Sequence, residues 1–373
     1  MSANYDGPRA LRPDEHQQML TLLEAAFGMT RSHWLRQYPA ERRERVVFQD
    51  HLVIARDDRI VSHIAIYPFT LIVEGTEVQV GGIGSVGTLP SEQGKGHFSR
   101  LMRHVETVMR ERGYPLAMLW GDTQRYRHFG YEPAGSRLTF RLSPKQPYLP
   151  GSDFELRGYE KATDLEAIIC AHEAEPWRVR RSRWRYAAAL ESHGLQAWVG
   201  KDESDWAYVV ASGMHVIECG GDPTCVARTL ACLVHRYGGD WTISLPEGQT
   251  HLVDLLYPMS DSWRVEPLGQ VHILDLKGVL LAWKAQLAAK ARQHGLRGTF
   301  ALELAGEQPC QRVTLHCGDG LEIGDGGQGE VLSLSHGGMA RFLFGPALPG
   351  PARQSSLAVL FPLGFYVWEL DQV

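Results

Sequence analysis

Two glycines just before a helix give this sequence a place to bind a negatively charged ligand. Residues 88–110, TLPSEQGKGHFSRLMRHVETVMR, combine a strand end, a loop with Gly94 and Gly96, and an amphipathic helix. Loop amides and the first-turn N–H groups point outward, and the helix dipole adds partial positive charge, so they can hold a pyrophosphate. We assign this role to Gln93, Gly94, Lys95, Gly96, His97 and Phe98. An ordinary glycine turn that caps a helix would fit the same residues.

A second glycine pattern lies upstream, where Gly82, Gly84 and Gly87 spell G-x-G-x-x-G. A dinucleotide-binding fold would place this motif between an opening strand and a helix. Here Leu89 and Pro90 follow instead, late in an antiparallel run of strands. The glycines therefore favour a β-bulge or a close backbone approach.

The loop and a second motif resemble the GNAT acetyltransferases. Gln93-x-x-Gly96 is similar to their Q/R-x-x-G-x-G/A coenzyme A signature, although Phe98 stands where most members have glycine or alanine. The enhanced-intracellular-survival (Eis) branch has a larger apolar residue there. The stretch Tyr126-Arg-His-Phe-Gly-Tyr131-Glu-Pro resembles the family's Y-x-x-F-G-Y/F element. The match is specific over residues 80–135, and elsewhere rests on order and length.

This resemblance implies direct acetyl transfer from acetyl-CoA, used as a co-substrate, to an amine. Tyr126 would be the general acid, since a phenol with a pKa of about 10 can share a proton with the departing thiolate. The Val86 N–H would polarise the thioester carbonyl, with Gly87 and Thr88 beside it on the cofactor side. A buried aromatic whose hydroxyl bonds the backbone is the alternative for Tyr126.

The acidic C-terminus carries a second expectation. In the Eis family the terminal carboxylate enters the active site as the base, which here would be Val373. Its reference pKa of about 3.5 makes it a weak base, so it must bind the ammonium and relay its proton. The apolar lead-in LAVLFPLGFYVW favours a docked tail, whereas a frayed acidic tail is the alternative.

An acidic tail near the reacting centre favours a cationic acceptor, such as a polyamine, an aminoglycoside-like compound or a lysine side chain. The resemblance places Glu24, Phe27 and Trp34 in the acceptor pocket, and we add Ser85 and Asp371. Alternatively, Phe27 and Trp34 belong to the core, and Glu24 lies on a solvated helix face.

The elements that must position these residues follow from periodicity. Residues 13–27 predict a helix that Gly28 ends, residues 46–89 an antiparallel meander, residues 98–112 a helix, and residues 276–295 a long helix. Prolines mark a boundary near 143–153. The resemblance implies an α+β fold in three parts. These are a GNAT domain (residues 1–148), a GNAT-like domain without the coenzyme A motif (149–268) and a sterol-carrier-like domain (269–373) whose C-terminus reaches the active site.

Composition excludes several classes. The 373 residues are 44% hydrophobic and 22% charged, which is typical of a soluble protein of two or three domains, and no apolar run has membrane-spanning length. The N-terminus lacks a secretory layout, so we expect a cytoplasmic protein. A net charge of −5 argues against nucleic-acid binding. Six irregularly spaced cysteines and no His/Cys ligand spacing imply reduced thiols and no metal.

Three alternatives remain open. One is an N-acyltransferase that uses a longer acyl-CoA, for which Phe98 and the third domain leave room. Another is a sensor that binds coenzyme A or a lipid without turnover. The third is a role mainly in self-assembly, suggested by ten tryptophans. Since Eis-family members form rings or dimers, we expect a homo-oligomer (dimer, trimer or hexamer) in any case.

Overall fold

The computed structural model describes residues 4–145, 154–306, 310–326, 329–346 and 349–372. Over these residues the chain forms three β-sheets with helices packed against them, so the predicted mixed α+β fold is confirmed. Within the same residues, none of the helices is long and apolar enough to span a membrane.

Helices in the described chain begin and end as follows: α1 His16–Phe27, α2 Arg31–Gln37, α3 His97–Glu111, α4 Thr123–Tyr126, α5 Lys161–Ala174, α6 Arg183–Leu190, α7 Pro223–Tyr237, α8 Thr250–Leu256, α9 Leu276–Ala282, α10 Lys284–Gln293 and α11 His336–Phe344. The predicted first helix ends at Gly28, whose φ of 66° is a left-handed conformation that glycine adopts without a Cβ clash.

Strands in the described chain have these bounds: β1 Tyr5–Ala10, β2 His51–Arg56, β3 Arg59–Val73, β4 Thr76–Thr88, β5 Leu116–Leu119, β6 Glu132–Ala134, β7 Arg137–Leu142, β8 Glu155–Gly158, β9 Trp177–Val179, β10 Leu195–Lys201, β11 Trp206–Ser212, β12 His215–Gly221, β13 Trp241–Leu245, β14 Ser260–Glu266, β15 Gly269–Ile273, β16 Gly298–Leu304, β17 Gln311–Cys317, β18 Leu321–Asp325 and β19 Glu330–Leu334.

The first sheet carries the predicted anion-binding loop. Its strand order is β1-β2-β3-β4-β5-β15-β6, and β9 also pairs with β3. The long strands β3 and β4 are antiparallel, whereas β4 and β5 are parallel. Helices α1 and α3 both pack on β3 and β4, and α3 buries Leu101, Met102, Val105 and Met109, one apolar stripe at helical spacing. The sheet and these two helices hold the loop between β4 and α3.

The second and third sheets complete the chain. The second has the order β14-β7-β13-β12-β11-β10-β8, and the third has the order β18-β17-β16-β19. The predicted helix over 276–295 is divided at Trp283, which is buried and donates from Nε1 to the carbonyl of Gly364 at 2.9 Å. Burying this indole, with its polar group satisfied by the tail, interrupts the regular helix.

Sheet membership does not follow the three predicted segments. Strand β7 precedes the predicted boundary at 148, yet it pairs with β13 and β14 in the second sheet. Strand β15 follows the predicted boundary at 268, yet it lies between β5 and β6 in the first sheet. Periodicity identifies a strand but not its partner, which is why the sequence could not predict either exchange. The domain bounds themselves stay a prediction.

Candidate active site

Strand β4 separates from β5 halfway along its length. The two strands pair from Val80–Leu116 to Gly82–Met118, and β4 then runs on to Thr88 with no further pair between these described strands. Unpaired strand edges present free backbone N–H and C=O groups. Because the strands are parallel, the loop after β4 and helix α4 after β5 both border the opening, which we call the cleft.

A β-bulge interrupts β4 where it borders the cleft. On β3, His63 pairs with Gly87 and Ala65 with Gly84, so Ser85 and Val86 together lie opposite one residue. Ser85 has a φ of 50°, which is uncommon for a residue with a Cβ. This conformation indicates that the bulge is a specific feature of the fold. Val86 therefore has no one-to-one partner on β3.

Two glycines show that the bulge reverses the direction of the side chains. A Cβ at Gly81 would lie 2.7 Å from Met109 of α3, whereas a Cβ at Gly87 would lie 3.0 Å from Ala26 of α1. In a regular strand, two residues that are six positions apart face the same side of the sheet. They face opposite helices because the bulge adds one residue. The G-x-G-x-x-G pattern thus marks a bulge and a close backbone approach, as predicted.

The loop between β4 and α3 has the form of an anion-binding turn. Gly94 and Gly96 have φ values of 76° and 79°, and residues 93–96 are exposed. Gly96 is the residue before α3, and the first four N–H groups of a helix have no partner within it. The side chain of Gln93 turns back to the carbonyl of Thr88 at 3.5 Å. The loop therefore offers backbone amides to a ligand.

Beneath this loop, Glu92 gathers the nearby polar side chains. It accepts hydrogen bonds from Arg56 at 2.7 Å, Tyr5 at 3.0 Å and His97 at 3.2 Å, and Lys95 lies 2.9 Å from it. The Lys95 contact is the largest cause that lowers the pKa of Glu92, to about 2. His97 is buried against Tyr5, and the predicted phosphate partner Lys95 rests on Glu92. Their contribution to the anion site is thus to brace the loop from below.

Tyr126 ends helix α4 with its ring against Phe98 of α3. The ring centroids are 5.7 Å apart, and a Cβ at Gly121 would lie 2.7 Å from Tyr126 Cε2. The side chain is 7% exposed, and its hydroxyl makes no hydrogen bond with the described residues. Burial raises the pKa of Tyr126 above its usual value, so the phenol stays protonated at neutral pH. A buried tyrosine with a free hydroxyl has a proton to donate to a bound molecule.

The residues predicted for the acceptor pocket divide between surface and core. Phe27 is 43% exposed and rests on Trp34, which is 2% exposed, with ring centroids 4.9 Å apart. The indole Nε1 of Trp34 is buried without a hydrogen-bond partner among the described residues. Glu24 accepts from the backbone N–H of Arg31 at 2.6 Å, so its carboxylate braces the start of α2.

A buried polar cluster, which the sequence analysis missed, lies under Ser85. Glu41 is 0% exposed and accepts from the hydroxyls of Tyr67 and Ser85, the latter at 3.1 Å. Behind it, His51 and His63 contact each other at 3.0 Å. We call these five residues the bulge cluster. Polar residues inside the apolar runs of β2 and β3 were the available signal, because an interior side chain of this kind needs a partner.

The C-terminal tail is docked, as its apolar lead-in predicted. Residues Phe361, Leu363, Phe365, Tyr366, Val367 and Trp368 are buried. Glu369 accepts from Arg137 at 2.9 Å and from His215 at 2.7 Å. Gln372 borders a cavity of about 520 Å³ together with Gly121 and Thr123, which flank the start of the Tyr126 helix. Val373, the predicted base, lies outside the described residues.

Asp371 is held inside the protein. Arg181 donates to its two oxygens at 2.7 and 2.5 Å, and also donates to both oxygens of Glu218. His172 approaches the same carboxylates, and these three residues could hold a metal ion by distance, within 4.8 Å of one another. The guanidinium already supplies the cation that two buried carboxylates need, so the cluster is an ion-pair network. Asp371 therefore anchors the tail.

Comparison with known proteins adds a domain match and a fold. Residues 8–134 match the family model described as an acetyltransferase (GNAT) domain. The chain is similar to a GCN5-related N-acetyltransferase from Kribbella flavida (21% identity, TM-score 0.68, 100% of this chain and 99% of that chain). A second such enzyme, from Anabaena variabilis, has 16% identity and a TM-score of 0.71 over 100% of both chains. Eis1 from Mycobacterium abscessus has 14% identity and a TM-score of 0.67 over 99% of this chain and 100% of that chain. No curated protein matched. At these identities the structural likeness shows a shared fold.

Proposed function

We propose that this chain is an N-acetyltransferase that transfers acetyl directly from acetyl-CoA to a primary amine of a cationic acceptor, and the match of residues 8–134 to the GNAT acetyltransferase domain supports this. The observation that carries this proposal is the cleft itself. A bulge at Ser85 and Val86, an exposed glycine loop and a tyrosine with a free hydroxyl border one opening in the sheet.

Backbone groups would bind acetyl-CoA. The amides of residues 93–98 suit the pyrophosphate, because they combine unpaired N–H groups with the positive end of the α3 dipole. The open edges of β4 and β5 suit the amide-bearing arm that follows, since each edge offers donors and acceptors at strand spacing. Phe98, at the first turn of α3, would pack beside the thioester end.

Val86 and Tyr126 would divide the chemistry. As the amine attacks, the thioester oxygen gains charge, and the N–H of Val86 is the donor available to it at the bulge. The C–S bond then breaks, and the thiolate takes the proton of the Tyr126 hydroxyl. Two features support Tyr126 in this role: it is protonated at neutral pH, and its hydroxyl has no competing partner in the described chain.

The docked tail supports a cationic acceptor. Gln372 borders the cavity that also contacts Gly121, which lies next to the Tyr126 ring. We propose that the Val373 carboxylate pairs with the acceptor ammonium. A polyamine, an aminoglycoside-like compound or a lysine side chain fits this chemistry, and the exposed ring of Phe27 would support an apolar part of the acceptor.

Three further expectations, on the third domain, the cellular location and the assembly, complete the proposal. Residues 269–373 would be a sterol-carrier-like domain, and the protein would be cytoplasmic. It would also be a homo-oligomer, a dimer, trimer or hexamer. For assembly, the strand β14 offers a surface: it is the edge of the second sheet, and Trp263 and Val265 on it are 53% and 44% exposed. Exposed apolar side chains on a free edge are typical of a protein interface.

Thiol release tests the function. Purified protein would be incubated with acetyl-CoA and a panel of polyamines, aminoglycosides and lysine peptides, beside Tyr126→Phe and a chain that lacks only Val373. We expect Tyr126→Phe to lower kcat by about 10²–10⁴-fold, the usual contribution of a general acid. Deleting Val373 retains the Asp371 anchor, so it should raise KM for the amine without releasing the tail. Tight acetyl-CoA binding without release on any amine would contradict the proposal and favour a longer acyl donor or a sensor.

A further inference from the structure

The bulge cluster joins the cleft to the interior of the first sheet. Ser85 and Tyr67 are its half-buried members, and Glu41, His51 and His63 are buried. Ser85 precedes Val86, whose N–H we have assigned to the thioester oxygen. Its hydroxyl therefore lies one residue from the proposed site of transfer.

The hydrogen bonds fix where the protons of the two imidazoles reside. His63 Nδ1 lies 2.7 Å from the carbonyl of Ser85, and a carbonyl only accepts, so His63 donates from Nδ1. The bare His63 Nε2 must then accept, and His51 donates to it from Nδ1 at 3.0 Å. Burial lowers the pKa of both histidines to about 4, so both are neutral at pH 7. His51 Nε2 is thus left as a lone pair.

That lone pair faces an oxygen of Glu41. The two atoms, His51 Nε2 and Glu41 Oε2, are 3.8 Å apart. Oε2 is buried with no hydrogen-bond partner in the described chain, whereas Oε1 accepts from Tyr67 and Ser85. A single proton on Oε2 would satisfy both atoms after an approach of about 1 Å, since it would be donated to Nε2. The hydroxyls of Tyr67 and Ser85 also contact each other, and the hydrogen bond that an incoming proton would make is the one between Glu41 Oε2 and His51 Nε2.

We propose that the acceptor ammonium loses its proton through Ser85 to Glu41, and that His51 holds the protonated carboxyl in place. This inference rests on the proposed function. Ser85 would accept the proton from the ammonium nitrogen at Oγ and pass its own hydroxyl proton to Glu41 Oε1. The carboxyl would then turn its O–H to His51 Nε2. Ser85 is the catalytic member, and Glu41 and His51 act through it.

The transfer balances with the chemistry at the thioester. The ammonium gives one proton to the cluster and becomes a neutral amine, which forms a bond to the acetyl carbon. The C–S bond breaks, the amine nitrogen loses its second proton, and the thiolate gains one from Tyr126. The phenol regains that proton from the nitrogen, and Glu41 releases its proton through Ser85 to bulk water once the amide product has left.

Several elements place titratable side chains near Glu41. His16 on α1 donates a hydrogen bond to the backbone carbonyl of Glu41 at 2.8 Å, and not to its carboxylate. Burial, with Glu41 nearby, raises the pKa of Tyr67 well above its usual value and that of Tyr38 more modestly, so both remain neutral donors. Among the described residues that face this carboxylate, no arginine or lysine is paired with it.

The test uses the whole protein and two classes of amine. Glu41→Gln and Ser85→Ala would be compared with the wild type for pH profiles of kcat and kcat/KM. One acceptor is an alkyl amine, protonated at pH 7, and the other is a fluorinated analogue that is already neutral at pH 7. His16→Gln is the matched control, because His16 contacts the same residue only at its backbone.

Both variants should lose about 10²–10⁴-fold in kcat on the alkyl amine at pH 7, and kcat/KM should rise about tenfold per pH unit toward the amine pKa. On the neutral analogue they should match the wild type, and His16→Gln should keep the wild-type profile on both. Equal losses on both amines, or an unshifted profile in Glu41→Gln, would overturn the proton route alone. A wild type that releases no thiol with any amine would overturn the proposed function as well. Deleting Val373 should change KM instead, which separates the two carboxylates.

Discussion

Replacing Arg181 with methionine should destabilise the protein strongly, because this guanidinium is the cation between two buried carboxylates. Its side chain is 2% exposed, as is that of Asp371, and that of Glu218 is 0% exposed. Removing one partner of a buried ion pair costs about 3–5 kcal/mol, since a charge is left without compensation. At about 2–4 °C per kcal/mol for a folding unit of 150–250 residues, Arg181→Met should lower Tm by about 6–20 °C.

A matched control lies at the edge of the same sheet. Arg157 contacts Asp164 with both guanidinium nitrogens, at 2.7 and 2.6 Å, but its side chain is 28% exposed. Asp164 is 8% exposed but keeps hydrogen bonds from the Glu160 N–H and the Thr163 hydroxyl, so Arg157→Met should cost less than Arg181→Met. Asp371→Asn should fall between the two, because Arg181 keeps Glu218 as a partner.

Thermal unfolding by calorimetry measures these differences, and hydrogen exchange over residues 361–372 reports whether the tail stays docked. In Arg181→Met, exchange of the tail should rise well before global unfolding, because Asp371 loses its anchor. Equal Tm values for Arg181→Met and Arg157→Met would refute the reasoning. So would a fully protected tail in Arg181→Met.

Three further predictions follow from the site. Gly121→Ala should lower kcat about 10–100-fold by displacing the Tyr126 ring, while Gly158→Ala, which meets nothing within 4 Å, should leave thiol release unchanged. Gly96→Ala, at a φ of 79°, should raise the Kd for coenzyme A in calorimetric titration and leave KM for the amine unaltered, because alanine disfavours that conformation. Acid should destabilise the fold: burial lowers the pKa of His51 and His63 to about 4 and of His172 to about 3, below their unfolded value of about 6.5. The unfolded chain therefore binds more protons at these sites, and the stability that the three histidines contribute should be full above a pH of about 6.5 and be lost toward a pH of about 4; a urea midpoint that is flat between these pH values would contradict it.

Features that are local in sequence could be predicted, and features assembled from distant segments could not. The glycine loop and Tyr126 lie in short motifs whose residues are neighbours in the sequence. The structure places both on the cleft. Glu41 and Ser85 are separated by 44 residues, and nothing near either residue indicates that they meet. Asp371 read alone is an acidic residue in a tail, and only the fold shows that Arg181, 190 residues away, occupies its oxygens. Pairing over such distances is decided by packing, which composition and period do not encode.

Strand β15 bears on how this protein is made. It lies between β5 and β6, so the first sheet remains divided while the ribosome synthesises everything from β7 to β14. Until β15 emerges, both flanking strands carry bare edges, a state in which nascent chains pair wrongly with neighbours. The strands that border the cleft are thus translated well before the strand that closes their sheet. A fragment that ends after β6 should be insoluble when expressed alone, and supplying the remaining segment in trans should rescue it.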